Sequence, residues 1–254
     1  MVTGVALIPS RLGSSRFPRK PLIELHGLSL IHRVWRQVSQ AEGCSQVYVA
    51  TDSEEIARHA ESFGASVLFL EQEAATGTDR IAASVIPLAL DEDTIILNVQ
   101  GDQPLIDPSD LSRLIALMNE QPSVRFATLI RPIHDREVME NPNDVKVVMN
   151  QEGDALYFSR SPLPYPRQEG VPLGWKHLGV YAFRLESLRW FARQPQGVLE
   201  QRESLEQLRI LEAGGKIHCL PALKDSPSVD VLEDALRLDR WLRANPDNPA
   251  SSAD

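Results

Sequence analysis

Cysteine is scarce in this chain: 254 residues contain only Cys44 and Cys219. They fit no metal-ligand spacing, and two such distant residues read as buried thiols in a reducing compartment. Long apolar runs are missing too. None approaches the roughly 20 residues that a membrane helix needs, and Val2 to Ile8 lacks the basic flank and length of a signal peptide. A cytoplasmic protein with no membrane partner is expected. Nor is there an excess of positive charge. Lys and Arg number 26 against 35 Asp and Glu, a net charge of −9, which argues against nucleic acid or an anionic membrane surface as partner. The chain has no internal repeat. Its glycines have neither the Walker spacing nor the dinucleotide spacing, which argues against a P-loop ATPase or a Rossmann dehydrogenase.

What is present is enough apolar material, 43% of residues, to bury a core of one large domain. Apolar runs and helical periodicities alternate in the first half. Val5 to Ile8 reads as a strand, Ile31, Val34, Trp35 and Val38 as one helix face, and Val47 to Ala50 as a strand. Ile56, Ala60 and Phe63 suggest a helix stopped by Gly64, followed by a strand at Val67 to Leu70. Ile95 to Val99 is a continuous apolar run of the kind buried on both faces, and Leu111, Leu114, Ile115 and Met118 form a helix face after it. This is a βαβ series, so an α/β fold with a mostly parallel sheet flanked by helices is expected.

Past about residue 125 the rhythm shortens to strand-like pieces at Phe126–Ile130, Val145–Met149, Ala155–Phe158 and Leu178–Phe183. A Pro-rich stretch, Pro162 to Pro172, cannot belong to a central strand and reads as a mobile loop. A helix around Leu205, Leu208 and Leu211, a strand at Ile217–Leu220 and a closing helix at about Leu232–Leu242 complete the pattern. The expected organisation is one domain over 1–242, with an alternating strand–helix part to about 124, a smaller mixed part over about 125–200, and a return to the core over 201–242. The Pro/Asn/Ser/Asp-rich tail, 243–254, is expected to be disordered.

Four groups of residues carry chemistry. The first follows the Val5–Ile8 strand directly: Pro9, Ser10 and Arg11, then a Gly/Ser turn that includes Ser14, then Arg16, Arg19 and Lys20. Free N–H groups and cations at the carboxyl end of such a strand suit anionic oxygens, although a solvated basic loop has the same composition. The second is Asn98-Val99-Gln100-Gly101-Asp102-Gln103-Pro104, which places one carboxylate just past a buried strand. The third is Asp230 in Ser228-Val229-Asp230-Val231-Leu232-Glu233-Asp234, at the start of the closing helix, where by position alone it reads as the helix cap. The fourth is Thr76-Gly77-Thr78-Asp79-Arg80, which either binds a base or caps a helix through Thr78.

Pro9-Ser10-Arg11 with Arg16-Phe17-Pro18-Arg19-Lys20-Pro21-Leu22 resembles the P-A-R…R-(L/F)-P-G-K-P-L loop of the cytidylyltransferases that activate acidic sugars. Asn98 to Ile106 resembles V-Q-G-D-(E/Q)-P-(L/M)-I, and Ser228 to Asp234 resembles V-D-T-P-E-D-L. Ala155 to Pro164, Lys176 to Tyr181 and Leu205 to Arg209 are similar to three further motifs in family order. The resemblance spans Val5 to Leu236 and identifies the chain as a member of the 3-deoxy-manno-octulosonate (Kdo) cytidylyltransferase family. Three departures stand out: Arg19 replaces a glycine, and Val231 and Leu232 replace Thr and Pro.

The resemblance implies a nucleotide-diphosphosugar transferase-like fold and a magnesium-dependent reaction of CTP with Kdo, giving CMP-Kdo and pyrophosphate for lipopolysaccharide synthesis. A related acid, 8-amino-Kdo or a sialic acid, is the alternative substrate. A non-catalytic nucleotide-binding relative is the alternative of another class. It implies Arg11, Lys20, Asp102 and Asp230 as catalytic residues, with the two aspartates binding Mg²⁺. Pro9, Ser10, Arg11, Ser14, Arg16, Lys20, Thr76, Gly77, Thr78, Arg80 and Gln100 would bind the nucleotide. Gln100, Arg160, His177, Tyr181, Glu206 and Gln207 would face the sugar acid, Arg160 pairing bidentately with its carboxylate. A homodimer through the mixed part is implied as well, because that part offers more short strands than one small core can close.

Overall fold

A computed structural model describes residues 2–13, 17–70, 76–165, 167 and 173–245. The elements run in chain order as follows: β1 (Gly4–Ser10), β2 (Glu24–Leu25), β3 (Leu28–Ser29), α1 (Leu30–Val38), β4 (Cys44–Thr51), α2 (Glu54–Ser62) and β5 (Ser66–Phe69). Next come α3 (Gly77–Ser84), β6 (Ile95–Asn98), α4 (Pro108–Glu120), β7 (Phe126–Ile133), α5 (Arg136–Glu140), β8 (Lys146–Met149) and β9 (Ala155–Ser159). The chain ends with β10 (Gly174–Arg184), α6 (Leu185–Ala192), α7 (Val198–Glu203), α8 (Leu208–Glu212), β11 (His218–Pro221) and α9 (Leu232–Ala244).

One sheet carries nearly everything, in the order β11-β7-β10-β6-β1-β4-β5, with β8 on β10 and β9 on β8. The half built from β6, β1, β4 and β5 is parallel, as the alternating pattern predicts. β10 runs antiparallel to both β6 and β7. The strands expected in a smaller mixed part therefore enter the main sheet, and only the β8–β9 hairpin extends outward from it. β10 is also longer than its apolar run suggested, because it continues through the polar Lys176 and His177.

Successive residues of β1 face opposite layers. Ala6 and Ile8 pack with α1, α2 and α4, whereas Val5 and Leu7 pack with α3, α6 and α8. The period of two explains why the strand reads as an unbroken apolar run: both faces are covered. Helix starts are fixed by side chains, Ser29 accepting the His32 N–H, Ser53 the Ile56 N–H and Asp107 the Ser109 N–H. The helix expected around Leu205, Leu208 and Leu211 is two short helices, α7 and α8. Ser204, in the left-handed region at φ 53°, breaks the path between them and leaves buried Leu205 in the link.

A third apolar cluster decides where the chain's distant segments meet. Leu25, Leu30, Val229, Ala235, Leu238 and Leu242 form it, with Phe17, Ile23 and Leu105 packed against it. Burying each such side chain is worth about 1.5–3 kcal/mol. The basic loop, the loop after β6 and the start of α9 are thereby held together. Much of the Pro-rich stretch and of the C-terminal tail lies outside the described residues, although α9 extends two residues into the expected tail, through Arg243 and Ala244.

Candidate active site

The carboxyl ends of β1 and β6 open into the crevice where parallel α/β sheets bind ligands. Val99 donates its N–H to Leu7 O at 3.1 Å, which carries the chain past β6 alongside the end of β1. Gly101 follows, and a Cβ there would meet Pro9 O at 3.0 Å. A glycine lets the Gln100–Gln103 loop lie directly on Pro9.

That loop presents Asp102. Its carboxylate accepts from Lys20 Nζ at 2.8 Å, and the same ammonium lies 3.6 Å from Asp230 Oδ1. The two aspartates singled out in the sequence thus converge on one cation. Burial pushes the Asp102 carboxyl up from its ordinary value; Lys20 opposes the shift and Asp230 adds to it. No group of three or more His, Cys, Asp or Glu suited to a metal occurs among the described residues. Two carboxylates with phosphate oxygens are an ordinary Mg²⁺ donor set, and this pair already holds a positive charge between them, so the residues present fit the ion.

Asp230 does not cap α9. The N-cap is Val231, and the Asp234 carboxylate reaches back to accept the N–H groups of Asp230 (3.0 Å) and Val231 (3.1 Å). Asp234 thereby satisfies the two N–H groups just ahead of the helix, which the missing threonine hydroxyl would not have reached, and the Asp230 side chain is left to Lys20 and to the Ser228 hydroxyl.

Arg11 is exposed at the end of β1 and makes no hydrogen bond to another described residue. Ser14 and Arg16 lie outside the described residues. Arg19 adopts the left-handed conformation, φ 58° and ψ 22°, which explains why a glycine suits this place. Its guanidinium pairs with Glu55 at the start of α2, tying the loop to the body of the fold.

Thr76, not Thr78, is the N-cap of α3, accepting the Asp79 N–H at 3.1 Å. Thr78 instead donates its hydroxyl to Glu206 Oε1 at 2.7 Å and its N–H to Glu206 Oε2 at 3.1 Å. Glu206 is therefore bound to the nucleotide-side segment, and neither pairs with Arg209 nor stands free. Arg209 lies between Asp79 and Glu200, at 2.8 and 2.6 Å, with its guanidinium over the Phe191 ring. The residues of this network stand in the quoted motifs or beside them; its connectivity does not follow from spacing. Arg80 pairs with Asp52 Oδ2 at 2.7 Å, another partner that spacing does not reveal.

The expected sugar-side residues divide. Tyr181 is buried, stands opposite Asn98 in the β10–β6 register, and has its phenol pushed well above its ordinary value by burial and then by Glu206. His177 is enclosed by Phe158 and Tyr181 and shares a 2.9 Å hydrogen bond with the Thr128 hydroxyl; burial lowers its pKa to about 3, so it is neutral. Arg160 does not present a free fork. Its guanidinium bonds the carbonyls of Glu203, Pro142 and Ser204. Gly179, at φ 71°, sits where the β10–β7 register shifts, and lets β10 approach the Gln100–Gln103 loop, where the Gln103 amide donates to Leu178 O.

Buried polar atoms without a partner collect here. Ser10 Oγ, Arg80 NH1, Gln103 Oε1 and Gln207 Nε2 are four of the six such side-chain atoms among the described residues. Uncompensated burial costs about 1–3 kcal/mol each, and a site that receives a polar ligand is where such a cost is recovered.

A cytidylyltransferase family model matches residues 5–217. The chain belongs to the cytidylyltransferase family. It is 45% identical over 229 residues to the 8-amino-3,8-dideoxy-manno-octulosonate cytidylyltransferase of Shewanella piezotolerans, covering 90% of this chain and 94% of that one. The Shewanella amazonensis enzyme of the same name is 42% identical over 240 residues, covering 94% of this chain and 98% of its own. Among solved structures, a CMP:2-keto-3-deoxy-manno-octonic acid synthetase complexed with CTP superposes with a TM-score of 0.89 at 36% identity, over 96% of this chain and 99% of that one. A Leptospira borgpetersenii cytidylyltransferase, 17% identical with a TM-score of 0.59, shares the fold over 100% of this chain and 99% of its own. No helix among the described residues is long and apolar enough to cross a membrane.

Proposed function

We propose that this cytidylyltransferase joins the CMP moiety of CTP to an eight-carbon 3-deoxy-ulosonic acid and releases pyrophosphate. The observation that carries the reading is the convergence of Lys20, Asp102 and Asp230 at the carboxyl ends of β1 and β6. The 8-amino-3,8-dideoxy acid is the favoured substrate, because relatives of that name are 42–45% identical where the CTP-bound synthetase for the 2-keto acid is 36%. Kdo is the second.

In this reaction the sugar's anomeric oxygen forms a bond to the α-phosphorus while the bond from that phosphorus to the bridging oxygen breaks. The electron pair leaves with pyrophosphate and the hydroxyl proton is released. The protein's task is to position two anions and offset their charge. Asp102 and Asp230 would hold Mg²⁺, which when bound would supply charge neutralisation at the phosphate oxygens. Arg11 and Lys20 hold the triphosphate, Lys20 exchanging its carboxylate partners for phosphate. Gln207 and Tyr181 orient the sugar acid, Gln207 with a buried amide nitrogen that lacks a partner. The enclosed His177 keeps Tyr181 in place by packing.

The test is CTP-dependent pyrophosphate release with the 8-amino acid, Kdo and a sialic acid in the presence of Mg²⁺. Release with either octulosonate and not with the sialic acid is expected. Release with none of them overturns the reading.

The protein is further proposed to pair with a second copy through the β8–β9 hairpin. Among the described residues β9 pairs as a strand with β8 alone, its start being tied to the chain before β11 by the Ala155 N–H to Ile217 O bond at 2.8 Å, and Leu156 and Tyr165 on or near it are 61% and 85% exposed.

A further inference from the structure

Two carboxylates brought close together repel unless a positive charge stands between them. Here a side chain supplies it. Lys20 Nζ donates to Asp102 Oδ2 at 2.8 Å and lies 3.6 Å from Asp230 Oδ1, so the ammonium stands where a cation shared by the pair has to stand. Mg²⁺ takes its oxygen ligands at about 2.0–2.1 Å. A divalent ion on Asp102 and an ammonium on the same carboxylate would be near neighbours of like charge. Either one can neutralise the pair, and each opposes the other.

The lysine and the carboxylates are held by different means. Lys20 opens a single 3₁₀ turn, Lys20–Leu22, in which Leu22 N–H donates to Arg19 O at 2.9 Å and Ile23 N–H to Lys20 O at 3.2 Å. Pro21 is buried, Phe17 and Ile23 pack on the third apolar cluster, and Arg19 pairs with Glu55. The backbone at Lys20 is thus fixed on both sides, and its four-carbon stem alone can swing the ammonium away. The carboxylates are placed without it. Val229, buried in the third cluster, donates its N–H to Asp102 O at 2.9 Å and carries Asp230 beside it, and the Ser228 hydroxyl donates to Asp230 Oδ2 at 2.7 Å. Taking the ammonium away therefore leaves the two carboxylates together with no counter-charge.

We propose that Lys20 is the resident counter-ion of the Asp102–Asp230 pair and keeps divalent cations out of it while the crevice holds no nucleotide. Loss of this one basic side chain then creates a divalent-cation site that the nucleotide-free wild type does not offer. The proposal rests on the reading above in that this pair is the metal site and a triphosphate is the anion that draws the ammonium away.

The experiment is calorimetric titration of the full-length protein with MgCl₂ and with MnCl₂, without nucleotide or sugar. Lys20→Met, close in length and uncharged, should bind either ion at least about tenfold more tightly than wild type, as removing a unit charge a few ångströms from a dication in a half-exposed site allows. Lys20→Arg should stay at the wild-type level, and Lys20→Met combined with Asp230→Asn should lose the gain. That last comparison separates the pair from any other acidic surface. Affinity of Lys20→Met equal to wild type, a Lys20→Arg protein that binds as tightly as Lys20→Met, or a gain that survives Asp230→Asn overturns the proposal. Thermal melting identifies a variant that fails to fold, and Lys20→Ala is then read in place of Lys20→Met. Failure of both to fold would show that the carboxylates depend on Lys20 for their placement, and also overturns it. Because no substrate is present, the counter-ion role stands if the expected affinities appear while no sugar acid is turned over, and it falls alone if turnover is seen but the affinities do not change.

Discussion

The backbone N–H of Val229 donates to the carbonyl oxygen of Asp102 at 2.9 Å. This one bond sets the start of α9 beside the loop after β6, and because Asp230 follows Val229 it also sets the spacing between the two carboxylates. Val229 is itself almost completely buried in the third apolar cluster. The relation of Asp102 to Asp230 is therefore a property of packing and backbone, and it persists when either carboxylate is changed.

Asp102→Asn and Asp230→Asn should each fold, and each should lose most magnesium-dependent turnover, by about a hundredfold or more. For Asp230 the alternative of a helix cap no longer competes, since Val231 holds the N-cap position and the Asp230 carboxylate faces Ser228 and Lys20. Rate measured against magnesium concentration checks this. An Asp230→Asn curve identical to wild type would remove that residue from the site.

Lys20→Ala should cost about a hundredfold in turnover, because it removes a positive charge that the phosphates or the two carboxylates otherwise meet. Arg19→Gly should change little, within a fewfold. It gives up an exposed pair with Glu55 worth at most about 1 kcal/mol and relieves a left-handed residue of about the same cost. Steady-state kinetics and thermal melting of both variants separate the two roles.

His177 gives a pH dependence of stability. Its pKa is about 3 in the folded protein against 6.5 unfolded, so the unfolded chain binds the extra proton. The stabilisation is complete above about pH 6.5 and is lost as pH falls from there towards 3, at up to about 1.4 kcal/mol per unit. Urea titrations between pH 7 and 5 should show this slope, and His177→Gln should flatten it.

Light scattering at micromolar concentration should report a dimer. A charge placed on the exposed face of β9, as in Leu156→Asp, should shift it towards monomer without lowering the melting temperature of the monomer itself. A wild-type monomer across the concentration range would remove the β8–β9 hairpin as an interface.

By itself the sequence determined the alternation of strands and helices in the first half, the parallel sheet, and the identity of the segments that meet at its carboxyl edge. Apolar periodicity is local, and so are the motifs at Pro9–Leu22, Asn98–Ile106 and Ser228–Asp234. Only the tertiary structure decided who bonds to whom. It took β7 and β10 into the central sheet, moved the α3 cap from Thr78 to Thr76, turned Glu206 towards Thr78 and Arg209 towards Asp79, and closed Arg160 around backbone carbonyls. These pairings join residues far apart in the chain, and they follow from which buried donors and acceptors can satisfy one another once the sheet and its helices are packed. No spacing within a single segment encodes that.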